Sequence, residues 1–395
     1  MPGVREEMRM RVLADIAQHG DTHRMEVSLR TGLSNSTVSR AVSSLLDEGL
    51  AAEKAESNCA PSRGRPKQIV SLNPDLALVA GIDLGVTTTR LLVCNATGEL
   101  QASYQGETED GNPDAIWSQT LAALKAVSPN FGQNPLDQCA VAVPGAVAGA
   151  PPVVSNAPNL AGVQGTKFIN AANKTLPNPV SIDNDVNMAL TAELLIGQAG
   201  GIDSASMVTI GTGLGTAISI NRSILRGQRG LVGEFGQLSL GSDGRKLEES
   251  ISGKGLLELA ESINLDIDSP RKLFTVPAEL AGPALYSFHS ALLTVLTALT
   301  VASDPDVIIV GGGIGLHLIE SLPGYMQSIE RNLGYSPNIV TSSLGDFGTA
   351  AGACIDGVGA LWLSIGTPER DRIDSLASVA RNLALGLQEE SPSVD

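Results

Sequence analysis

Aromatic side chains make up only 3% of this 395-residue chain. That scarcity argues against a surface that stacks single-stranded nucleic acid, which needs several aromatic planes in a row, and against an aromatic platform for sugar rings. Cysteine is almost as rare. Cys59, Cys94, Cys139 and Cys354 lie far apart and form no CxxC pair, which excludes a disulfide framework or a Cys-rich zinc module and fits a reducing cytosol. Long apolar runs are lacking too. The longest, Ala291 to Ala302, holds three Thr; it is too short to span a bilayer and reads as a buried helix. No charged-then-apolar leader opens the chain, so the expected setting is cytoplasmic, with no membrane partner.

Positive charge is short overall. The net charge is -16, which argues against nucleic-acid binding by the whole surface. The deficit is uneven. Residues 1–74 carry ten Lys/Arg and nine Asp/Glu, a net of +1, and the remainder carries -17. The first segment is therefore an electrostatically separate object. With 43% hydrophobic residues and 43 glycines, the chain as a whole has an α/β composition and is large enough for more than one core. The expected division is a head over 1–74, a body over 75–366 in two lobes (about 75–187 and 188–366), and a C-terminal amphipathic helix and tail over 367–395.

Apolar residues in the head recur at helical spacing. Val12, Leu13, Ile16 and Ala17 mark a first helix, and Met25, Val27 and Leu29 a short second one. Thr31-Gly32-Leu33 makes a turn, after which Ser34 is a natural N-cap for a third helix whose inner face is Val38, Val42, Leu45 and Leu46. Its other positions are small and polar: Asn35, Ser36, Thr37, Ser39 and Arg40. Small polar residues let a helix approach the major groove closely, and Arg pairs with guanine or phosphate. Two short strands then flank a loop carrying Arg63, Gly64 and Arg65, as a wing that touches phosphates or a minor groove would. The plain alternative is a three-helix packing module with a solvated basic linker.

The body is punctuated by three glycine turns. Asp83, Gly85, Thr87 and Thr88 stand at the bend of an apolar hairpin; Gly211, Thr212 and Gly213 at a second; Gly311, Gly312 and Gly313 after a strand. Such turns let backbone approach phosphate oxygens while a carboxylate holds Mg²⁺, though each alone is also what any tight turn looks like. Two alike turns suggest a duplicated fold that binds a nucleotide. Between them, Ser181-Ile182-Asp183-Asn184-Asp185 reads as a strand running into a helix. There Asp185 could accept a proton from a sugar hydroxyl, or Asp183 or Asn184 could simply cap the helix.

Taken together these motifs resemble the ROK family (repressors, open reading frames and kinases), in its repressor branch, over residues of about 8 to 363. The resemblance implies an α/β fold: an N-terminal winged helix-turn-helix plus an actin/hexokinase-like, two-lobe domain of RNase-H-like halves. It implies sugar contacts from Asn159, Asn184, Asp185, Glu234 and Glu248, with Asp185 the catalytic base if the chain is a kinase. Three departures from the pattern matter. Gln237 stands where the family has a His, removing one sugar contact. The loop from Leu240 to Lys246 holds no Cys, so no structural zinc is expected. At the first turn Val86 replaces a glycine, which crowds a phosphate.

The expected function is a transcriptional repressor of carbohydrate genes. Its partners would be a double-stranded DNA operator and a sugar or sugar phosphate effector, and it would act as a homodimer or homotetramer. The alternative is an ATP-dependent sugar kinase, the one case in which ATP and Mg²⁺ would be cofactors. A third reading has the last helix, Arg370 to Gln388, dock a partner rather than pack on its own domain.

Overall fold

The structure is a computed structural model that describes residues 3–55, 68–109, 111–240, 244–367 and 373–390. It opens with α1 (Val4–His19), α2 (Arg24–Thr31) and α3 (Asn35–Asp47), then an antiparallel pair, β1 (Ala51–Ala55) and β2 (Gln68–Leu72). Ser34 starts α3 as predicted, its Oγ accepting from Thr37 N at 3.2 Å. Val38, Ala41, Val42 and Leu45 are the buried face; Leu46 is only half-buried. Buried Asp15 on α1 takes a two-pronged contact from Arg30 on α2, with Nε to Oδ1 at 3.0 Å and Nη2 to Oδ2 at 2.8 Å. Met25 and Leu29 leave Val27 alone as the inward residue of α2, at 65% and 77% exposure.

The body follows in order as β3 (Leu78–Leu84), β4 (Thr88–Asn95), β5 (Leu100–Glu107), α4 (Pro113–Val127), β6 (Gln138–Val143), β7 (Ala146–Ala148), β8 (Val153–Ser155), α5 (Lys167–Asn173), β9 (Ser181–Asn184) and α6 (Asp185–Ile196). Next come β10 (Ala205–Ile210), β11 (Leu214–Ile220), β12 (Ser223–Ile224), β13 (Ser239–Leu240), β14 (Arg245–Lys246), α7 (Leu247–Ile251), α8 (Gly253–Ser262) and α9 (Ala278–Ser303). The chain ends with β15 (Val307–Gly311), α10 (Gly312–Gly315), α11 (Leu322–Leu333), β16 (Asn338–Thr341), α12 (Gly348–Ser364) and α13 (Ala377–Glu390).

Two five-stranded sheets carry this body, ordered β5-β4-β3-β6-β9 and β12-β11-β10-β15-β16. In order of appearance both read 3-2-1-4-5. In each, an antiparallel meander is extended by a parallel strand: β6 joins β3, and β15 joins β10. The repeat of one topology is the duplication that the paired Gly/Thr turns suggested. The chain divides into two compact units, each drawn from separate stretches of sequence. One unit comprises 1–142, 167–182 and 350–395; the other comprises 143–166 and 183–349. The chain crosses between them four times, after 142, 166, 182 and 349, and such crossings leave no local composition signal.

In the first unit the head shares its packing with the C-terminal helix. Ser378 on α13 donates to Ala17 O of α1 at 3.0 Å, and Asn382 donates to Thr97 O beyond β4 at 2.8 Å. The last helix therefore packs on its own domain. In the second unit the core gathers around α9, whose Ala281, Ala284, Phe288, Ala291, Leu292, Val295, Leu296 and Leu299 are buried. This helix runs well beyond the apolar run read from the sequence and tolerates Pro283 inside it. Over Glu279–Ser303 it is long and apolar enough to cross a membrane by length and composition, with 44% of its most apolar window buried.

Candidate functional site

The residues expected to contact a sugar all fall in the second unit, at the junction of β9 and α6 and the loops around it. Asn184 is the N-cap of α6: its Oδ1 accepts from Val186 N at 3.0 Å and Asn187 N at 3.1 Å. Its Nδ2 donates to Gly145 O at 3.0 Å. Three of its four bonding positions thus serve the protein, so Asn184 is foremost the residue that fixes this junction. Gly145 makes the anchor possible. Its φ is +96°, and a Cβ there would lie 2.5 Å from Ser155 O, so only glycine brings the turn this close.

Asp183 organises the same corner. Its Oδ1 accepts from Asn184 N at 2.7 Å and Asn187 Nδ2 at 3.1 Å, and its Oδ2 from Arg226 Nε at 2.7 Å. With both neighbours so held, Asp185 stands at the first position of α6, half-buried. Its carboxyl is pushed up to about 6, chiefly because burial strips water from the charge, and further by the Glu234 charge; the N–H groups of Val186 and of its own residue oppose the shift. Glu234 is itself raised by burial, and the charge of Glu248 adds to that, while a 2.6 Å hydrogen bond from Asn156 Nδ2 opposes it. Three carboxylates in electrical contact line this corner, with the Asn156 and Asn184 amides beside them.

The second Gly/Thr turn borders this set. A Cβ on Gly213 would lie 2.9 Å from Glu248 Oε1 and 3.7 Å from Asn159 Nδ2, so the turn lies against both a carboxylate and an amide of the expected set. Asn159 itself is exposed. Gln237 donates to Glu248 Oε2 at 3.4 Å, and its Oε1 accepts from Lys246 Nζ at 2.7 Å. An amide and an ammonium are not zinc ligands, and among the described residues no group of three or more His, Cys, Asp or Glu could hold a metal ion. Residues 241–243 of that loop lie outside the described residues.

The remaining predicted positions are dispersed. Asp83, on β3 in the first unit, is 8% exposed and lies 3.9 Å from Arg90, its cross-strand neighbour on β4. Gly85 N donates to Thr88 O at 3.1 Å to close the bend, and Thr87 is exposed there. Gly311 ends β15, and Gly312 and Gly313 open α10 in the second unit. The Arg271 guanidinium lies over that turn, with Nη2 2.7 Å from where a Gly313 Cβ would sit. Sequence reasoning missed Asn156 and Arg226. The signal for Asn156 was an Asn two residues before Pro158; it takes a φ of +56°, a conformation Asn tolerates better than most side chains.

In the head, Ser34, Asn35, Ser36 and Arg40 are exposed, and Thr37 and Ser39 are half-buried. Ser34 Oγ lies 3.0 Å from Ser36 Oγ and 2.9 Å from Thr37 Oγ1. Arg9, Arg24, Arg30 and Lys54 are each paired with a carboxylate. Arg40 has no carboxylate partner among the described residues; its Nε donates to Ser36 O at 3.2 Å. Arg63, Gly64 and Arg65 lie outside the described residues.

The sequence pattern of the ROK family matches residues 79–355. The chain belongs to the ROK family. Its α/β body is the kinase-like fold of that family. The xylose repressor of Bacillus subtilis (strain 168) is 25% identical over 363 residues, spanning 86% of this chain and 92% of that one. The xylose repressor of Caldicellulosiruptor bescii is 27% identical over 236 residues, and there the match spans 59% of this chain but only 58% of the relative. A solved ROK family transcriptional regulator, a homologue of the E. coli MLC protein, superimposes with a TM-score of 0.70 at 18% identity, covering 98% of this chain and 100% of that one.

Proposed function

We propose that this ROK protein is a DNA-binding transcriptional repressor of carbohydrate genes, released or engaged by a sugar bound at the Asp185–Glu234–Glu248 site. The observation that carries the reading is α3. A capped helix presents a small polar face ending in an Arg without a carboxylate partner among the described residues, after a Gly turn and before a two-stranded hairpin. That is a winged helix-turn-helix with a recognition helix free of bulk, as major-groove entry requires. The match to xylose repressors along most of the chain supports it. The carboxylates and amides around Asp185 suit a polyol, whose hydroxyls donate to carboxylates and accept from amides. The sugar alters DNA affinity only if it binds the two DNA-linked states unequally.

The test is a gel shift on promoter fragments of sugar-utilisation genes, with and without a panel of neutral pentoses and hexoses. A shifted band that a sugar changes, lost in Arg40→Ala, is the expected result. No shift on any fragment overturns the repressor reading.

One feature favours a second reading, ATP-dependent sugar phosphorylation. A carboxyl pushed up to about 6 beside a hydroxyl-binding surface is well placed to accept a proton near neutral pH. Sugar-dependent ATP consumption abolished in Asp185→Asn would establish it.

A further inference from the structure

We propose that Arg226 is a positioning residue for the polyol site, a latch that holds the loop bearing Glu234 against the corner formed by Asp183, Asn184 and Asp185. This role rests on the polyol reading above, although the measurement that decides it needs no sugar.

The two acids come from distant stretches of chain. Asp185 opens α6, whereas Glu234 ends a strap, residues 226–234, that has no helix or strand of its own. Gly227, Gly230 and Gly233 in that strap take left-handed φ values of +69°, +68° and +94°. Glycine adds no stiffness to a chain, and Arg226 to Arg229 and Leu231 face solvent. The backbone bonds within the strap are long, from Val232 N to Arg226 O at 3.5 Å and from Glu234 N to Leu231 O at 3.3 Å. The place of Glu234 is therefore set by what the strap is fastened to.

Three fastenings exist. Gly230 lies so close to β7 that a Cβ would strike Val147 O, and Gly233 lies in the same way against Thr216 O of β11. The third is Arg226, whose Nε donates to Asp183 Oδ2 at 2.7 Å and whose Nη1 donates to Ile224 O at 3.4 Å. Among the described residues, this last one joins the strap directly to the segment that carries Asp185. Asp183 is only 6% exposed, so parting the pair would leave a buried charge without its partner, which makes the latch costly to open.

A second connection runs the other way round. Asn184 Nδ2 donates to Gly145 O, and Asn156, eleven positions on, donates to Glu234 Oε2 at 2.6 Å. The two connections close a ring through both acid-bearing segments. With the ionic link cut, the ring can spread and Glu234 can move away from Asp185. The charges that act on Asp185 are Glu234 on the strap and, through it, Glu248 on α7. Lys246 reaches this set only through Gln237, and Arg226 and Asp183 offset one another.

Urea unfolding of each protein beside its Asp185→Asn counterpart, from pH 4 to 8, tests this. The advantage of the Asn grows as the pH rises to the folded-state midpoint of Asp185 and levels off above it; without further change that midpoint lies at about 6. Asp183→Asn combined with Arg226→Gln removes the ion pair at constant net charge and keeps the Oδ1 that accepts from Asn184 N. If Arg226 merely neutralised Asp183, the midpoint would stay. With the latch gone, burial and the Glu234 charge both weaken, and the midpoint falls by about one pH unit. Gly230→Ala lifts the strap without touching any charge and lowers the midpoint in the same way, which keeps the test decisive should the double variant fail to fold. D-xylose and D-glucose are titrated into the same proteins, and a sugar that binds the unaltered chain binds each variant about tenfold more weakly. A midpoint that stays or rises in these variants overturns the proposal. A midpoint that falls while neither sugar binds upholds it and counts against the polyol reading alone.

Discussion

Raising the pH should tighten sugar binding, with Asp185 setting the midpoint. In the free protein this carboxyl sits at about 6, so at pH 5 roughly nine molecules in ten hold the proton and at pH 7 roughly one in ten. A sugar hydroxyl that donates to Asp185 needs the ionised form and lowers its pKa on binding. Linkage then makes the dissociation constant about tenfold weaker at pH 5 than at pH 7, levelling off above 7. The Glu234 charge is one reason the shift exists, so the apparent midpoint belongs to the pair. Isothermal titration calorimetry at pH 5, 6 and 7 with a sugar from the panel reads it directly, as does proton release on binding measured in buffers of different ionisation enthalpy. Asp185→Asn should bind weakly and with a flat profile. Affinity that rises as the pH falls, or a tenfold slope that survives in Asp185→Asn, would refute the assignment of Asp185 as a hydroxyl acceptor.

The same shift predicts a stability effect of opposite slope. A carboxyl raised from its usual 3.8 to about 6 favours the fold most below its unfolded value, and that contribution is lost as the pH climbs through 6. Asp185→Asn should therefore stabilise the protein at pH 7 by about 2–3 kcal/mol and flatten the melting temperature between pH 4 and 7; no change would refute the burial argument. Arg40→Ala should weaken operator binding by about 10- to 100-fold and lower the salt slope, with the melting temperature unchanged. Gly145→Ala combines a left-handed φ with a Cβ 2.5 Å from a carbonyl oxygen. It should cost about 3 kcal/mol in urea unfolding, and sugar affinity should fall with it because Asn184 loses its anchor.

What could be read in advance was whatever is encoded locally. Ser34 announces α3 because a hydroxyl at an N-cap meets an N–H three residues on. The bends at Gly85 and Gly211 were visible because apolar runs stop and restart around them. The fate of Asn184 was not decidable from its neighbours, since capping and ligand binding both want an amide at a strand-to-helix junction. Only Gly145, 39 positions earlier in the chain, shows that most of its bonds are spent. Asn156 and Arg226 escaped for the same reason: each acts on a residue far away in sequence. The extent of α9 was hidden by Pro283, which marks a break in a sequence but is tolerated here because Ala281, Ala284 and Phe288 on either side are buried in the core.

The C-terminal helix changes how the head must be regarded. Read as a sequence, residues 1–74 look like a module joined to the body by a short connection at 73–77. In the structure a second attachment exists. Val379 on α13 is buried, and its carbonyl would lie 2.5 Å from a Cβ on Gly98. Gly386 comes equally close to Leu100 at the start of β5, its Cβ position 2.6 Å from the Leu100 Cβ. Next to Val379, Ser378 donates to the carbonyl of Ala17 in α1. Contacts this tight leave no slack for a side chain to absorb, because packed interiors transmit small displacements rather than dissipate them. A shift of the turn between β4 and β5 must therefore either carry α13 and α1 with it or break hydrogen bonds at both ends. The head is held by a rigid helix as well as by its connection, so the orientation of α3 is tied to the first sheet.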